Sequence, residues 1–138
     1  RRFDDVVVFD LSPLRRELIP SFEALFYEPF YQFMRQQFLA REMEKAHELN
    51  ADLVSLLHIS PAGNLPFRRV TSPDLQHLGE TATGVWANIC GGSGPTLRGE
   101  RFRAVSTEML FGGYLREISP EMRGWGEYIR SRYPWVWN

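Results

Sequence analysis

Residues 27–46 of the chain, YEPFYQFMRQQFLAREMEKA, have large apolar side chains at the three- and four-residue spacing of an α-helix. Four of these side chains share one side of a helical wheel: Phe30, Phe33, Met34 and Phe38. Three polar side chains share the opposite side: Gln32, Arg35 and Gln36. Proline suits the first turn of a helix, so Pro29 marks a possible start, and Asn50 is a good terminator. The stretch therefore predicts a helix that ends near residue 49.

The two sides of this predicted helix exchange character after Phe38. Apolar residues continue the side of Arg35: Leu39, Ala40 and Met43. Polar residues continue the phenylalanine side: Gln37, Arg41, Glu44 and Lys45. We therefore expect Gln32, Arg35 and Gln36 to be partly enclosed, where amides and guanidinium groups need partners. Two interpretations stay open: they bind backbone carbonyls and a carboxylate such as Glu28 or Glu42, or they grip a phosphate-bearing ligand.

Stretches typical of strands and of helices alternate along the rest of the chain. Strands are predicted at residues 6–9, 53–59 and 102–106. The nearly continuous apolar character of 53–59 indicates a strand buried on both faces, as in a parallel sheet. Ser-Pro pairs open helices at 72–73 and 119–120, and Thr107 caps a short one. This order predicts an α/β or α+β domain with a small mixed sheet flanked by helices.

Composition places the chain among ordinary globular domains. Its 138 residues suffice for a single domain, and 43% hydrophobic and 24% charged residues fit that class. The net charge of −1 argues against a basic surface over the whole molecule. Cys90 alone excludes an intramolecular disulfide, and no apolar run is long enough for a membrane span, so we expect a cytoplasmic protein without membrane contact. The chain begins at Arg1, and two explanations stay open: a piece of a longer protein, or a removed tag or leader.

Three segments together resemble a known family. They are the helix at 27–40, the turn His58-Ile59-Ser60-Pro61-Ala62-Gly63-Asn64, and Phe67-Arg68-Arg69-Val70-Thr71-Ser72-Pro73 leading into a helix with Trp86. Over most of residues 25–111 the chain resembles the C-terminal half of bacterial proteins related to the PD-(D/E)XK restriction-endonuclease-like nucleases. The resemblance implies a mixed sheet flanked by helices and metal-assisted hydrolysis of phosphodiesters, with acids holding Mg²⁺ and a lysine beside them. Gln32 and Gln36 are similar to a glutamine that supports the active site in some members.

The chain departs from that family in its catalytic residues. No Asp/Glu-x-Lys triplet lies on a predicted strand, and Asp10-Leu11-Ser12 has serine where the lysine belongs. The only lysine, Lys45, lies on the predicted helix. Asp4, Asp5 and Asp10 near the start have two interpretations: a decayed acidic cluster, or solvated surface, which is more usual for acids near a terminus. We therefore do not expect this chain to cut DNA alone.

The leading interpretation is the supporting, C-terminal part of a metal-dependent DNA nuclease whose acids and lysine lie upstream, with Mg²⁺ needed only in the complete site. Six residues are predicted to assist catalysis or bind DNA: Gln32, Arg35, Gln36, His58, Asn64 and Arg68. The alternative is a non-catalytic interaction module, such as a homodimer, because aromatic residues crowd the tail: Trp125, Tyr128, Tyr133, Trp135 and Trp137. An independent hydrolase is disfavoured because a Gly-x-Ser-x-Gly motif is absent.

Overall fold

Five α-helices and two β-strands make up the regular structure of residues 14–90, 101–114 and 118–134, which are the residues that a computed structural model of the chain describes. In chain order they are α1 (Phe30–Lys45), β1 (Leu56–Ser60), α2 (Leu65–Arg68), α3 (Ala82–Ile89), β2 (Phe102–Ser106), α4 (Thr107–Tyr114) and α5 (Arg123–Arg132). Short 3₁₀ helices connect them at Arg16–Leu18, Phe22–Leu25, Glu48–Asn50, Pro73–Leu78 and Pro120–Met122. The strands pair in a parallel sheet. The predicted α/β class, a small sheet flanked by helices, is confirmed.

The described residues divide into two compact units. Residues 14–57, 65–90 and 101–103 form the first unit, which contains α1, α2 and α3. Residues 58–64, 104–114 and 118–134 form the second unit, which contains α4 and α5. Whether the 138 residues act as a single domain stays a prediction.

The core of the first unit is built around the ring of Phe33. Its centroid lies 5.8 Å from that of Trp86 on α3, 5.3 Å from that of Phe102 on β2, and 6.0 Å from that of Phe67 on α2. Phe30, Phe33 and Trp86 are fully or almost fully buried. Since burying one such side chain stabilises a fold by roughly 1.5–3 kcal/mol, these contacts hold α1, α2, α3 and the start of β2 together.

Helix α1 keeps the same side against the core along its whole length. Its buried residues follow helical spacing to the end: Phe30, Phe33, Met34, Gln37, Ala40 and Glu44. The expected exchange of sides after Phe38 is therefore wrong, and Leu39, which was expected to continue a buried side, is exposed. The physical reason is that the polar residues on the core side find partners there. Gln37 and Glu44 are both hydrogen-bonded inside the first unit.

Strand β1 is shorter than predicted and exposed on one face. It covers Leu56–Ser60 rather than residues 53–59. Leu57 and Ile59 are exposed, while the other three residues, Leu56, His58 and Ser60, are half-buried. The prediction that this strand is buried on both faces is wrong, although its parallel pairing is confirmed. Alternation of this kind follows when one face of a strand is covered and the other is not.

The other predicted boundaries have mixed outcomes. The strand predicted at 102–106 is confirmed as β2, and the helix after Thr107 is confirmed but extends to Tyr114. Helix α1 ends at Lys45, four residues early, and is followed by three left-handed residues: His47, Leu49 and Asn50. Both Ser-Pro starts open 3₁₀ helices, and the α-helices α3 and α5 begin further on. The strand predicted at 6–9 lies outside the described residues.

Candidate functional site

Three polar side chains of α1 point away from the core of the first unit: Gln32, Arg35 and Gln36, which we call the α1 polar face. All three are exposed, so the expectation that they are partly enclosed is wrong. Gln32 Nε2 donates a hydrogen bond to Glu28 Oε1 at 3.3 Å, as one of the two open interpretations had it. The Arg35 guanidinium carbon lies 5.7 Å from the centre of the Tyr31 ring, within cation–π range. A solvent-borne ligand can therefore reach both the amides and the guanidinium.

Arg68 is held in the same unit as the α1 polar face. It is the last residue of α2 and is exposed. The preceding residue, Phe67, packs edge-on against Phe33 of α1, and the Thr71 hydroxyl donates a hydrogen bond to the backbone carbonyl of Glu28. Two contacts therefore tie the segment of Arg68 to α1 and to the residues just before it. Arg35 and Arg68 are therefore two exposed, fork-shaped cations of the first unit, and such groups suit phosphate oxygens.

The remaining predicted site residues, His58 and Asn64, belong to the second unit. His58 lies in the middle of β1, and burial lowers the pKa of its imidazole, which favours the neutral ring near pH 7. Asn64 is exposed, and its backbone amide donates to the Pro61 carbonyl at 3.0 Å. The Glu108 carboxylate on α4 accepts the amide of Ala62, at 3.0 and 3.1 Å from its two oxygens. The turn after β1 is thus fixed to α4.

The most enclosed charge of the first unit is Glu44, near the end of α1. Its side chain is 3% exposed, and it accepts three hydrogen bonds. Oε1 accepts from the Arg101 guanidinium and from the Val54 amide at 2.9 Å, and Oε2 accepts from Arg41 Nη1 at 3.1 Å. Burial, and then repulsion from Arg41, lowers the pKa of Arg101, yet arginine stays charged at any physiological pH. With both oxygens engaged by cations, this carboxylate braces the fold and is unsuited to act as a base or metal ligand.

Sequence reasoning missed this brace although a signal for it was present. Gln37 and Glu44 follow Phe30 and Phe33 at helical spacing, so they were already assigned to the phenylalanine side. A buried carboxylate requires partners, and the chain offers many arginines to provide them. Gln37 has a different partner, because the Cys90 sulfur lies 3.6 Å from Gln37 Oε1. Burial raises the pKa of the Cys90 thiol to about 12, so Cys90 is protonated at neutral pH and is not a nucleophile.

Comparison with known protein families assigns the chain to a family. Residues 11–134 match the family described as Restriction Endonuclease associating with ARP. The chain belongs to this family. No curated protein and no solved structure matches it.

The described residues of this restriction-endonuclease-like chain do not fit a magnesium site. Among residues 14–90, 101–114 and 118–134, no group of three or more His, Cys, Asp and Glu side chains could hold a metal ion. The α1 polar face has amides and a guanidinium, whereas Mg²⁺ prefers carboxylate oxygens. The acids Asp4, Asp5 and Asp10 lie outside the described residues. None of the described helices is long and apolar enough to cross a membrane.

Proposed function

We propose that this chain is the supporting, C-terminal part of a bacterial PD-(D/E)XK nuclease, and that it contacts DNA through the α1 polar face and Arg68. Membership of a restriction-endonuclease family over residues 11–134 is the observation that carries the proposal. The acids, the lysine and the Mg²⁺ that they hold would come from residues N-terminal to this chain. The only lysine here, Lys45, pairs with Glu42 on α1 and lies on neither strand, which supports that division of roles.

The two arginines would neutralise phosphates, and the amides would position the strand. Arg35 and Arg68 are exposed in one unit and can each engage a phosphate through two N–H groups. Gln32 and Gln36 both donate and accept hydrogen bonds, so they can contact phosphate oxygens or base edges. His58 and Asn64 stay predicted contacts of the second unit.

Salt-dependent DNA binding tests the proposal. Fluorescence anisotropy with a labelled duplex compares the chain with Arg35→Ala and Arg68→Ala, between about 50 and 200 mM salt. Each variant should bind several-fold more weakly and lower the slope of log K against log salt by about 0.9, which is one phosphate contact. Arg132→Ala is the matched control, because it removes an equal charge from the exposed end of α5. Equal losses in all three variants would show a diffuse charge effect and no site.

Cleavage tests the catalytic half of the proposal. The chain extended by its N-terminal segment should cleave DNA with Mg²⁺ or Mn²⁺, whereas the chain alone should not. Arg35→Ala in the extended protein should impair cleavage. Full activity in that variant would remove Arg35 from the mechanism.

A second candidate function is an interaction module, and exposed aromatic residues of α5 favour it. Trp125 and Tyr128 are exposed, although Trp125 also lies 6.1 Å from Phe111 of α4 between ring centres. Tyr133 is exposed as well, while Trp135 and Trp137 lie outside the described residues. An association with ARP, which the family's description names, is compatible with such a surface. Sedimentation of the wild type and of Tyr128→Ala decides whether this surface forms a homodimer.

A further inference from the structure

We propose that the residues around the start of α1 form a stacking site for unpaired bases, so that this face binds single-stranded DNA. The site consists of Phe26, Tyr31 and Arg35, which we call the stacking row. This proposal rests on the proposed DNA-binding function, and it adds that the α1 polar face binds DNA in its single-stranded form.

The stacking row is anchored to the core through Phe22 and extends from there to the solvent. Phe22 is buried in the core, and its ring centre lies 5.0 Å from that of Phe26 in an edge-on arrangement. The Phe26 centre lies 6.0 Å from that of Tyr31, and the Arg35 guanidinium lies over Tyr31. Phe26 is nonetheless 51% exposed. The ring is therefore held in place by Phe22 and Tyr31 while about half of the residue's surface stays open to a ligand.

These groups match the chemistry of an unpaired strand. A base stacks on an aromatic face whatever its identity, and the guanidinium supplies a donor for the neighbouring phosphate. Gln32 and Gln36, next to Arg35 on the exposed side of α1, can hydrogen-bond base edges that pairing would otherwise occupy. In a duplex the faces of the bases are covered by their neighbours. An exposed ring such as Phe26 gains a stacking partner only from a strand that is already unpaired.

Two carboxylates near the stacking row oppose phosphate binding, so removing one of them should strengthen binding of DNA. Glu28 lies 3.3 Å from the Gln32 amide, and Glu23 is exposed in the 3₁₀ helix that precedes Phe26. Phosphates must therefore lie towards Arg35. Glu28→Gln removes one repulsive charge and keeps an acceptor for Gln32, so it should tighten binding of the single strand.

Anisotropy with a labelled oligothymidine of about 20 nucleotides, against a duplex of equal length, tests the row in the full 138-residue chain. Phe26→Leu keeps the apolar bulk against Phe22 but removes the aromatic face, so it should weaken single-strand binding about 5-fold to 150-fold. Its salt slope should be unchanged, whereas Arg35→Ala should lower the slope by about 0.7. Phe26→Trp should bind at least as tightly as the wild type, and it replaces Phe26→Leu if that variant fails to unfold cooperatively. Met109→Ala, at an exposed apolar residue of α4 in the second unit, is the matched control and should have no effect.

Three results would overturn the stacking site. If Phe26→Leu and Met109→Ala bind the single strand as the wild type does while Arg35→Ala weakens the duplex, DNA binding stands and the stacking site falls. If the chain binds neither form of DNA, the proposed function fails and the stacking site with it. If sedimentation shows a dimer that Phe26→Leu dissociates, the row is a protein interface.

Discussion

Replacing Glu44 by alanine should destabilise the first unit more than any other single change of charge on α1. The carboxylate is almost completely enclosed and joins three separate parts of the chain: α1, the segment before β1, and the residue before β2. Truncation removes the acceptor from Arg101 and from the Val54 amide, and the partner from Arg41. A donor left without an acceptor in the interior loses its water and gains nothing in exchange.

The size of the effect follows from how exposed each partner is. The Arg101 side chain is 25% exposed, so losing its partner should cost about 1.5 kcal/mol, near half of the value for a fully buried pair. The Val54 amide loses a hydrogen bond to a charged group, which costs about 1.5 kcal/mol. Arg41 is more exposed, and its bridge within the helix contributes only about 0.3 kcal/mol. We therefore expect a loss of about 3 kcal/mol, or a fall in Tm of roughly 10 °C for a chain of this size.

Urea denaturation followed by circular dichroism measures the free energy of unfolding of Glu44→Ala. Glu42→Ala is the matched control, because Glu42 lies on the same helix, its side chain is 60% exposed, and it pairs with Lys45. That control should change the free energy of unfolding by less than about 0.5 kcal/mol. Glu44→Gln, which keeps an acceptor for Val54, should fall between the two. Equal stability of the two alanine variants would refute the brace.

Three further predictions concern single residues. Burial raises the pKa of the Cys90 thiol from 9.0 to about 12, so its contribution to stability is complete below pH 9.0 and is lost as the pH rises towards about 12. Urea denaturation at several pH values gives the free energy of unfolding. In that range the wild type should lose about 1.4 kcal/mol per pH unit more than Cys90→Ala, and an equal pH dependence in the two proteins would contradict this. Leu49 is 88% exposed with φ of 56°, so Leu49→Gly should stabilise the protein by about 0.5 kcal/mol, whereas Leu39→Gly within α1 should cost about 1 kcal/mol. Within the described part of the chain the buried Ser72 hydroxyl has no hydrogen-bond partner, so Ser72→Ala should be neutral or stabilising by about 1 kcal/mol. Thr81→Ala removes an observed helix cap and should cost about 1 kcal/mol; thermal melts that rank the two variants in the opposite order would refute both assignments.

The parts of the fold that depend on local chemistry could be predicted from the sequence. Strand β2 has its predicted bounds because it contains Phe102 and Val105, residue types that favour strands, and because Thr107 directly after it begins α4. The start of α1 follows from Pro29, and the bond between Gln32 and Glu28 follows from their spacing of four residues. In each case the interacting groups are close along the chain.

The buried side of α1 could not be predicted in the same way, because it depends on distant residues. Gln37 is buried beside Cys90, 53 residues later, and Glu44 is buried beside Arg101, 57 residues later. Without those partners, polar residues on the phenylalanine side suggest a helix that turns its second half outward. The same error placed Gln32, Arg35 and Gln36 in an enclosed site, whereas they form an exposed one.

The parallel pairing of β1 with β2 has a consequence for the order of events in folding. No hydrogen bond of the sheet can form until all the residues between Ser60 and Phe102 have been looped out, which carries a large entropic penalty. Helix α1, whose backbone contacts are local, should form earlier, and the sheet should close late. Until then both edges of β1 are unpaired, and they lie beside the apolar side chains of Leu57 and Ile59, which stay exposed in the folded protein as well. The chain should therefore be most prone to aggregate during the part of folding in which β1 has not yet paired with β2.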